Sequence, residues 1–244
     1  MQTPRYSAED EMELMARLWS SPLRDDPLRF VMTVYPWGEP GTPLEHFSGP
    51  RRWQREVLME LRDHLATNRA PDYDVFRMSV ASGRGIGKSA LVSWLDHWMR
   101  STRIGASVII SANSETQIRA ITWAEMTKWL SMSLNAHWFE VSATRIMPAK
   151  WLTEIVEREM KKGTRYWGSE GRLWSAENPD AYAGVHNYDG VMLIFDEASG
   201  IHDSIWDVSK GFFTENTPNR FHLAFSNPRR NDGYFAETFG SKRD

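Results

Sequence analysis

The run Val80-Ala81-Ser82-Gly83-Arg84-Gly85-Ile86-Gly87-Lys88-Ser89 constrains the fold more than any other stretch of the chain. A glycine-rich turn ends in Lys-Ser, with a β-type run before it and an amphipathic stretch after it. That order predicts strand, phosphate-binding loop and helix. Gly85 and Gly87 let the backbone approach phosphate oxygens, Lys88 supplies a point charge, and Ser89 offers a hydroxyl to Mg²⁺. The usual spacing opens on Gly, whereas Ser82 stands there in this chain. That departure touches the opening turn and spares both the N–H cradle and the lysine. The N-terminus of the following helix adds free N–H groups and a favourable dipole. Residues Ser82, Gly83, Gly85, Ile86, Gly87, Lys88, Ser89 and Ala90 are therefore expected to hold a nucleoside triphosphate.

The rest of the chain reads as alternating strands and helices. Residues 7–19 form a helix opened by Ser7, and the Pro- and Gly-rich span 22–50 is expected to be an extended arm. A helix over 50–66 carries the apolar stripe Trp53, Val57, Leu58, Leu61 and Leu65. Strands are expected at 75–81, 106–111, 191–195 and 221–225, with a helix over 88–100. Ser114-Glu115-Thr116-Gln117 is a capping box expected to open one long helix reaching Asn135. Residues 138–180 should hold short strands around a helix at 150–160. Strands separated by helices at these intervals imply right-handed crossovers and a parallel sheet covered on both faces. The expectation is an α/β P-loop NTPase fold, with a mainly parallel central sheet flanked by helices and an N-terminal arm. The boundary is drawn as 1–49 for the arm and 50–244 for the P-loop domain.

Composition excludes several classes. The absence of Cys removes disulfides, thiol catalysis and Cys-ligated zinc. A net charge of −3 and a pI near 6.2 argue against a protein that coats nucleic acid by bulk electrostatics. Local basic clusters (Arg51, Arg52 and Arg55; Lys161, Lys162 and Arg165; Arg229 and Arg230; Lys242 and Arg243) read as solvated surface. The longest central apolar run, 191–195, is far short of the ~18 residues of a membrane span. The acidic N-terminus is no signal peptide. These features point to a cytosolic protein without a membrane partner. The twelve Trp residues are mostly expected in packing.

Three further stretches could carry chemistry. Asp196-Glu197 closes a buried strand, where Asp196 can hold Mg²⁺ and Glu197 can polarise the water that attacks a γ-phosphate. A capping role for the pair is the structural alternative. Ser226-Asn227-Pro228 ends another strand, so Asn227 either points into the same crevice or makes an Asx-type turn before Pro228. In Trp53-Gln54 the Gln amide has the donor and acceptor needed to read an adenine edge, although Gln54 could equally be a helix surface residue. Arg84 either approaches the γ-phosphate or is simply exposed.

Taken together, Trp53-Gln54, Ser82 to Ser89, Ser111 to Gln117, Asp196 to Gly200 and Ser226-Asn227-Pro228 resemble the ATPase domain of the terminase large subunit of tailed double-stranded DNA bacteriophages. The resemblance covers about Pro50 to Gly233, and the leader with Asp26-Pro27 and Tyr35-Pro36-Trp37-Gly38 looks similar too. It implies an ATP hydrolase with ATP and Mg²⁺ as cofactors. Lys88 and Ser89 would bind phosphate and metal, Asp196 the metal, and Trp53 and Gln54 the adenine. Glu197 would be the catalytic carboxylate, Arg84 would act near the γ-phosphate, and Asn227 would couple hydrolysis to movement. Implied partners are double-stranded DNA, a portal protein and a small terminase subunit. The implied assembly is a homo-oligomeric ring on a procapsid in the host cytoplasm, with a monomer an option for the isolated chain.

Two features depart from that family. Where many terminases place an Arg-Gly that serves the neighbouring subunit, Ala183-Gly184 stands here, which leaves the finger unassigned and Arg172 a weak substitute. The family's nuclease domain has no room before Asp244, so the chain is expected to be the ATPase part of a longer protein, without nuclease activity of its own. A helicase-like DNA-remodelling ATPase shares the adenine Gln and the Asp-Glu-Ala, but it needs a second RecA-like lobe for which no room follows Phe225. A nucleotide-binding switch is the third reading, and Glu197 argues against it.

Overall fold

Strands Ser107–Ser111 (β2), Val191–Asp196 (β6) and Arg220–Ser226 (β7) are almost wholly buried, on both faces of each. Successive side chains of a strand point to opposite faces, so such runs need a core on each side. Met192 and Ile194 of β6 and Phe221, Leu223 and Phe225 of β7 face one core, while Leu193, Phe195 and Ala224 face the other. Phe76–Ala81 (β1) pairs with β7 in parallel. The computed structural model, which describes residues 7–182, 184 and 186–240, gives a seven-stranded sheet. Phe139–Val141 (β3), Arg145–Pro148 (β4) and Gly168–Gly171 (β5) complete it in the order β1-β7-β6-β2-β5-β4-β3. Pairings from β1 to β5 are parallel, and the β5-β4-β3 end is antiparallel. The mainly parallel sheet expected from the sequence is therefore present.

The larger core is covered by helices Ala8–Leu18 (α1), Ser21–Arg24 (α2), Pro27–Val34 (α3), Arg52–Thr67 (α4), Lys88–Thr102 (α5) and Ala124–Ser131 (α6). Ser7 caps α1 in a full capping box, its side chain accepting from the Asp10 N–H while the Asp10 carboxylate accepts from the Ser7 N–H. Lys150–Met160 (α7) spans the helix expected at 150–160. Asp203–Ser209 (α8) and Tyr234–Glu237 (α9) contribute Ile205, Trp206 and Phe235 to the second core. Among the described residues no helix is long and apolar enough to cross a membrane.

Two expectations change. The span 22–50 is not an extended arm throughout: Asp26 accepts from the Arg29 N–H, Pro27 takes the first helical position, and Phe30, Val31 and Val34 enter the large core. Beyond it, Trp37 meets Trp94 of α5 edge to face and Trp129 of α6 at a tilt, centroids 5.7 and 5.8 Å away, while Trp94 and Trp129 meet edge to face at 4.9 Å. The long helix expected from Ser114 to Asn135 opens at Ser114, whose hydroxyl accepts from the Gln117 N–H, but continues as a π-helix over Gln117–Trp123 before α6. Its i→i+5 bonding suits the pattern, because Ile118, Thr122 and Trp123 are all buried. An α-helix would still keep Ile118 and Thr122 on one face but would turn Trp123 away from Ile118, and the wider π turn brings it closer.

Candidate active site at the carboxyl ends of the parallel strands

Strand register brings the marked residues together. Ala81 of β1 lies opposite Ser226 of β7, Phe225 of β7 opposite Asp196 of β6, and Phe195 of β6 opposite Ser111 of β2. All four strands run the same way, so the loops that leave them gather at one edge of the sheet. That edge is where open α/β sheets bind ligands.

The loop between β1 and α5 is held on three sides. The Ser82 N–H donates to the Ser226 carbonyl at 3.0 Å. Gln54 in α4 accepts from the Arg51 N–H at 2.8 Å and donates through Nε2 to the Gly87 carbonyl at 2.8 Å. Trp53 Nε1 donates to the Ile86 carbonyl at 3.2 Å. Gly87 has φ +92°, and a Cβ there would meet Gln54 Nε2 at 2.8 Å, so this position requires glycine on two counts. As the N-cap of α5 it offers no side-chain acceptor, which leaves the first-turn amides uncapped and aimed at the loop.

Trp53 and Gln54 thus sit against the loop as braces. Gln54 is 2% exposed, with its amide committed at both ends to backbone. Arg84 and Gly83 are exposed on the outer turn, and Ile86, Ser89 and Ala90 are half-buried. Lys88 folds back over the loop: its Nζ donates to the Gly83 carbonyl at 2.8 Å, the Ser82 carbonyl at 3.4 Å and Asn227 Oδ1 at 2.8 Å. Burial lowers the Lys88 pKa, opposed by the nearby Glu197 and Asp196 carboxylates. Lys88, Asn227 and both acids therefore occupy one crevice.

Asp196 is buried, with Oδ2 accepting from Thr122 Oγ1 at 2.8 Å and Oδ1 from the Glu197 N–H at 3.1 Å. Burial raises its carboxyl pKa, which the Thr122 hydrogen bond partly offsets. Glu197 adopts a left-handed conformation, φ 56°, rare for a residue with a side chain. Asn113 Nδ2 holds its carbonyl at 3.1 Å. Its Oε2 is buried without a hydrogen-bond partner and lies 3.6 Å from the Arg229 guanidinium. Among the described residues the other non-glycine left-handed position is Lys161, after α7. The Ser226 hydroxyl accepts from the Ser199 N–H at 3.1 Å and donates to its Oγ at 2.8 Å, tying the turn after β6 to the end of β7.

The chain resembles a phage terminase large subunit. A curated protein of Enterobacteria phage P7 described as "Probable terminase, large subunit" is 28% identical over 191 residues, 76% of this chain and 34% of that protein. The chain thus spans about a third of that terminase's length. The crystal structure of the HK97 bacteriophage large terminase superposes with a TM-score of 0.56 at 14% identity, over 90% of this chain and 42% of that one. That likeness is one of fold. The Thermus phage P74-26 large terminase ATPase domain also aligns, at a TM-score of 0.47 and 21% identity over 72% of this chain and 67% of that one. No family model matches the chain.

Asn113 and Ser199 fall within the motif stretches 111–117 and 196–200, whereas Thr122 and Arg229, which also touch this crevice, lie outside every chemical motif of the sequence. Thr122 lies one turn beyond the capping box, in the π-helix, and reaches Asp196 from there. Arg229 was in view as part of a basic cluster, and its place directly after Ser226-Asn227-Pro228 was the available signal. Arg172, the substitute for a finger, donates from Nε to Glu170 at 2.6 Å and lies over the Phe212 ring at 5.5 Å. Ala183 of the Ala183-Gly184 pair, and Lys242 and Arg243, lie outside the described residues.

Proposed function

We propose that this chain is the ATP-hydrolysing region of a viral motor that moves double-stranded DNA into a procapsid. The observation that carries this reading is the meeting of Lys88, Asp196, Glu197 and Asn227 at the carboxyl ends of three adjacent parallel strands, β1, β7 and β6. The similarity to the phage P7 terminase supports the wider assignment.

In this reading the loop amides and Lys88 receive the β- and γ-phosphates. The Lys88 hydrogen bonds to Gly83, Ser82 and Asn227 are the kind a phosphate oxygen replaces with gain, because the new acceptor is charged. Glu197 then orients and deprotonates the attacking water, for which its Oε2, buried without a hydrogen-bond donor, is suited. Arg84, on the outer turn of the loop, is free to approach the γ-phosphate. Trp53 and Gln54 fix the loop beside the base. Asn227 links the phosphate lysine to β7, so loss of the γ-phosphate would be felt along that strand.

The donors present fit a small hard cation: the Ser89 hydroxyl at the first turn of α5 and the Asp196 carboxylate at the end of β6. Among the described residues no group of three His, Asp or Glu forms a metal cage of its own. That suits Mg²⁺, which takes one or two protein ligands and completes its shell with phosphate oxygens and water. When bound there, Mg²⁺ would offset the charge that builds on the transferring phosphoryl group.

Double-stranded DNA as the load, a portal protein and small terminase subunit as partners, and a ring of copies on the procapsid belong to the same proposal. Glu197→Gln keeps the shape and removes the base. Phosphate release by this variant should fall to about a hundredth of the parent rate or less, while binding of a fluorescent ATP analogue is retained. Unchanged turnover would sink the mechanism.

A further inference from the structure

The Glu197 carboxylate, on which the proposed hydrolysis depends, does not face open crevice alone. Arg229 reaches it from the segment that follows β7, three residues after Ser226 and two after Asn227, the residue bound to Lys88. The contact is loose. At 3.6 Å it is an ion pair rather than a hydrogen bond, and Glu197 Oε2 has no hydrogen-bond donor although it is buried. Glu197 is the acid that Arg229 pairs with among the described residues, while its neighbour Arg230 is engaged separately by Asp232 at 2.9 Å. Arg229 also lies near enough to Lys88 for its charge to act on the lysine in the same direction as burial, though less than burial does. A guanidinium is therefore held within reach of both the proposed base and the phosphate lysine, by a pair that leaves most of its donors unused.

We propose that Arg229 is a γ-phosphate-sensing latch, pairing with Glu197 until a triphosphate arrives and then exchanging onto the γ-phosphate, which frees Glu197 to take the attacking water. The inference rests on the nucleotide-hydrolase reading and names the regulation of that same site. A terminal phosphate carries more charge than a carboxylate and presents three acceptor oxygens, so it outcompetes a single unbonded Oε2 for the planar fork of an arginine. A diphosphate ends one phosphate short and leaves the latch in place. Because Arg229 shares a short segment with Asn227, its exchange would also pull on the end of β7. The arginine that the position of Ala183 does not supply has, in this proposal, a counterpart within the same chain.

The test compares Arg229→Ala and Arg229→Lys with the parent chain by equilibrium binding of a non-hydrolysable ATP analogue and of ADP, each with Mg²⁺. Arg229→Ala should weaken the triphosphate analogue about tenfold or more, the scale of a lost charge-assisted hydrogen bond, and leave ADP within about twofold. Arg229→Lys, which keeps the charge and loses the fork, should fall between. Turnover should drop in the same order. Equal weakening of both nucleotides would mark Arg229 as merely structural, and unchanged binding of both would remove it from the site; either result overturns the latch. If the parent chain binds neither nucleotide, the hydrolase reading itself fails, which is a separate outcome.

Discussion

Gln54 carries two jobs in one buried amide: its oxygen caps the start of α4 and its nitrogen pins the Gly87 carbonyl. Gln54→Ala should lower stability by about 1–3 kcal/mol, because two backbone groups lose a partner in a site water reaches poorly. It should also loosen the phosphate loop, so the urea midpoint and the affinity for an ATP analogue should fall together. A change in affinity with an unaltered midpoint would show that Gln54 acts on the base and not on the loop. Lys88, Asp196, Glu197 and Asn227 stand out in the sequence because each sits in a short pattern whose spacing suggests a chemistry. Thr122 and Arg229 lie outside such patterns. Their roles depend on which strand ends neighbour each other, and nothing local to those residues states that β7 lies between β1 and β6.

At the scale of elements, the π-helix over Gln117–Trp123 joins the proposed metal acid to α6 through one hydroxyl. Thr122→Val keeps the volume and removes the donor from buried Asp196, so it should cost about 1–3 kcal/mol in chemical denaturation. Thr122→Ser should restore most of that loss, and equal losses from both would place the effect in packing instead. The start of this helix was readable from Ser114 and Gln117, since a cap is a local hydrogen-bond problem. The π turn was not, because it is chosen by what Ile118, Thr122 and Trp123 must face in the folded core. Helix α3 was missed for a related reason. Proline and glycine density between 22 and 50 suggested extension, yet Asp26-Pro27 is a competent helix start, and Phe30, Val31 and Val34 find a core to enter.

Across the whole molecule, the sheet order was the part least open to sequence reading, whereas alternating strands and helices sufficed for a parallel α/β arrangement. The buried interior also holds titratable groups. His97 in α5 is 1% exposed, and burial pushes its pKa well below the usual histidine range, with the Arg100 charge acting in the same direction. His222, among the rings of Phe195, Trp206 and Phe213, is pushed down by burial to about 3. Both rings stay neutral in the folded chain while the unfolded chain protonates each near its ordinary value. The associated stability is thus complete above about pH 6.5 and is lost as pH falls toward the folded values, by up to about 1.4 kcal/mol per pH unit for each ring. Urea midpoints at pH 7.5 and 5.5 should differ in that sense, with the raised carboxyls of Asp96 and Asp196 acting in the opposite direction. The indoles of Trp37, Trp94 and Trp129 come from the amino-terminal segment, the helix that Lys88 opens and the helix beyond the π turn. Three such chromophores in mutual contact absorb as a coupled unit. Their near-ultraviolet dichroism therefore serves as a built-in optical gauge of docking, one that fades when any of the three segments lifts away even while the backbone remains helical.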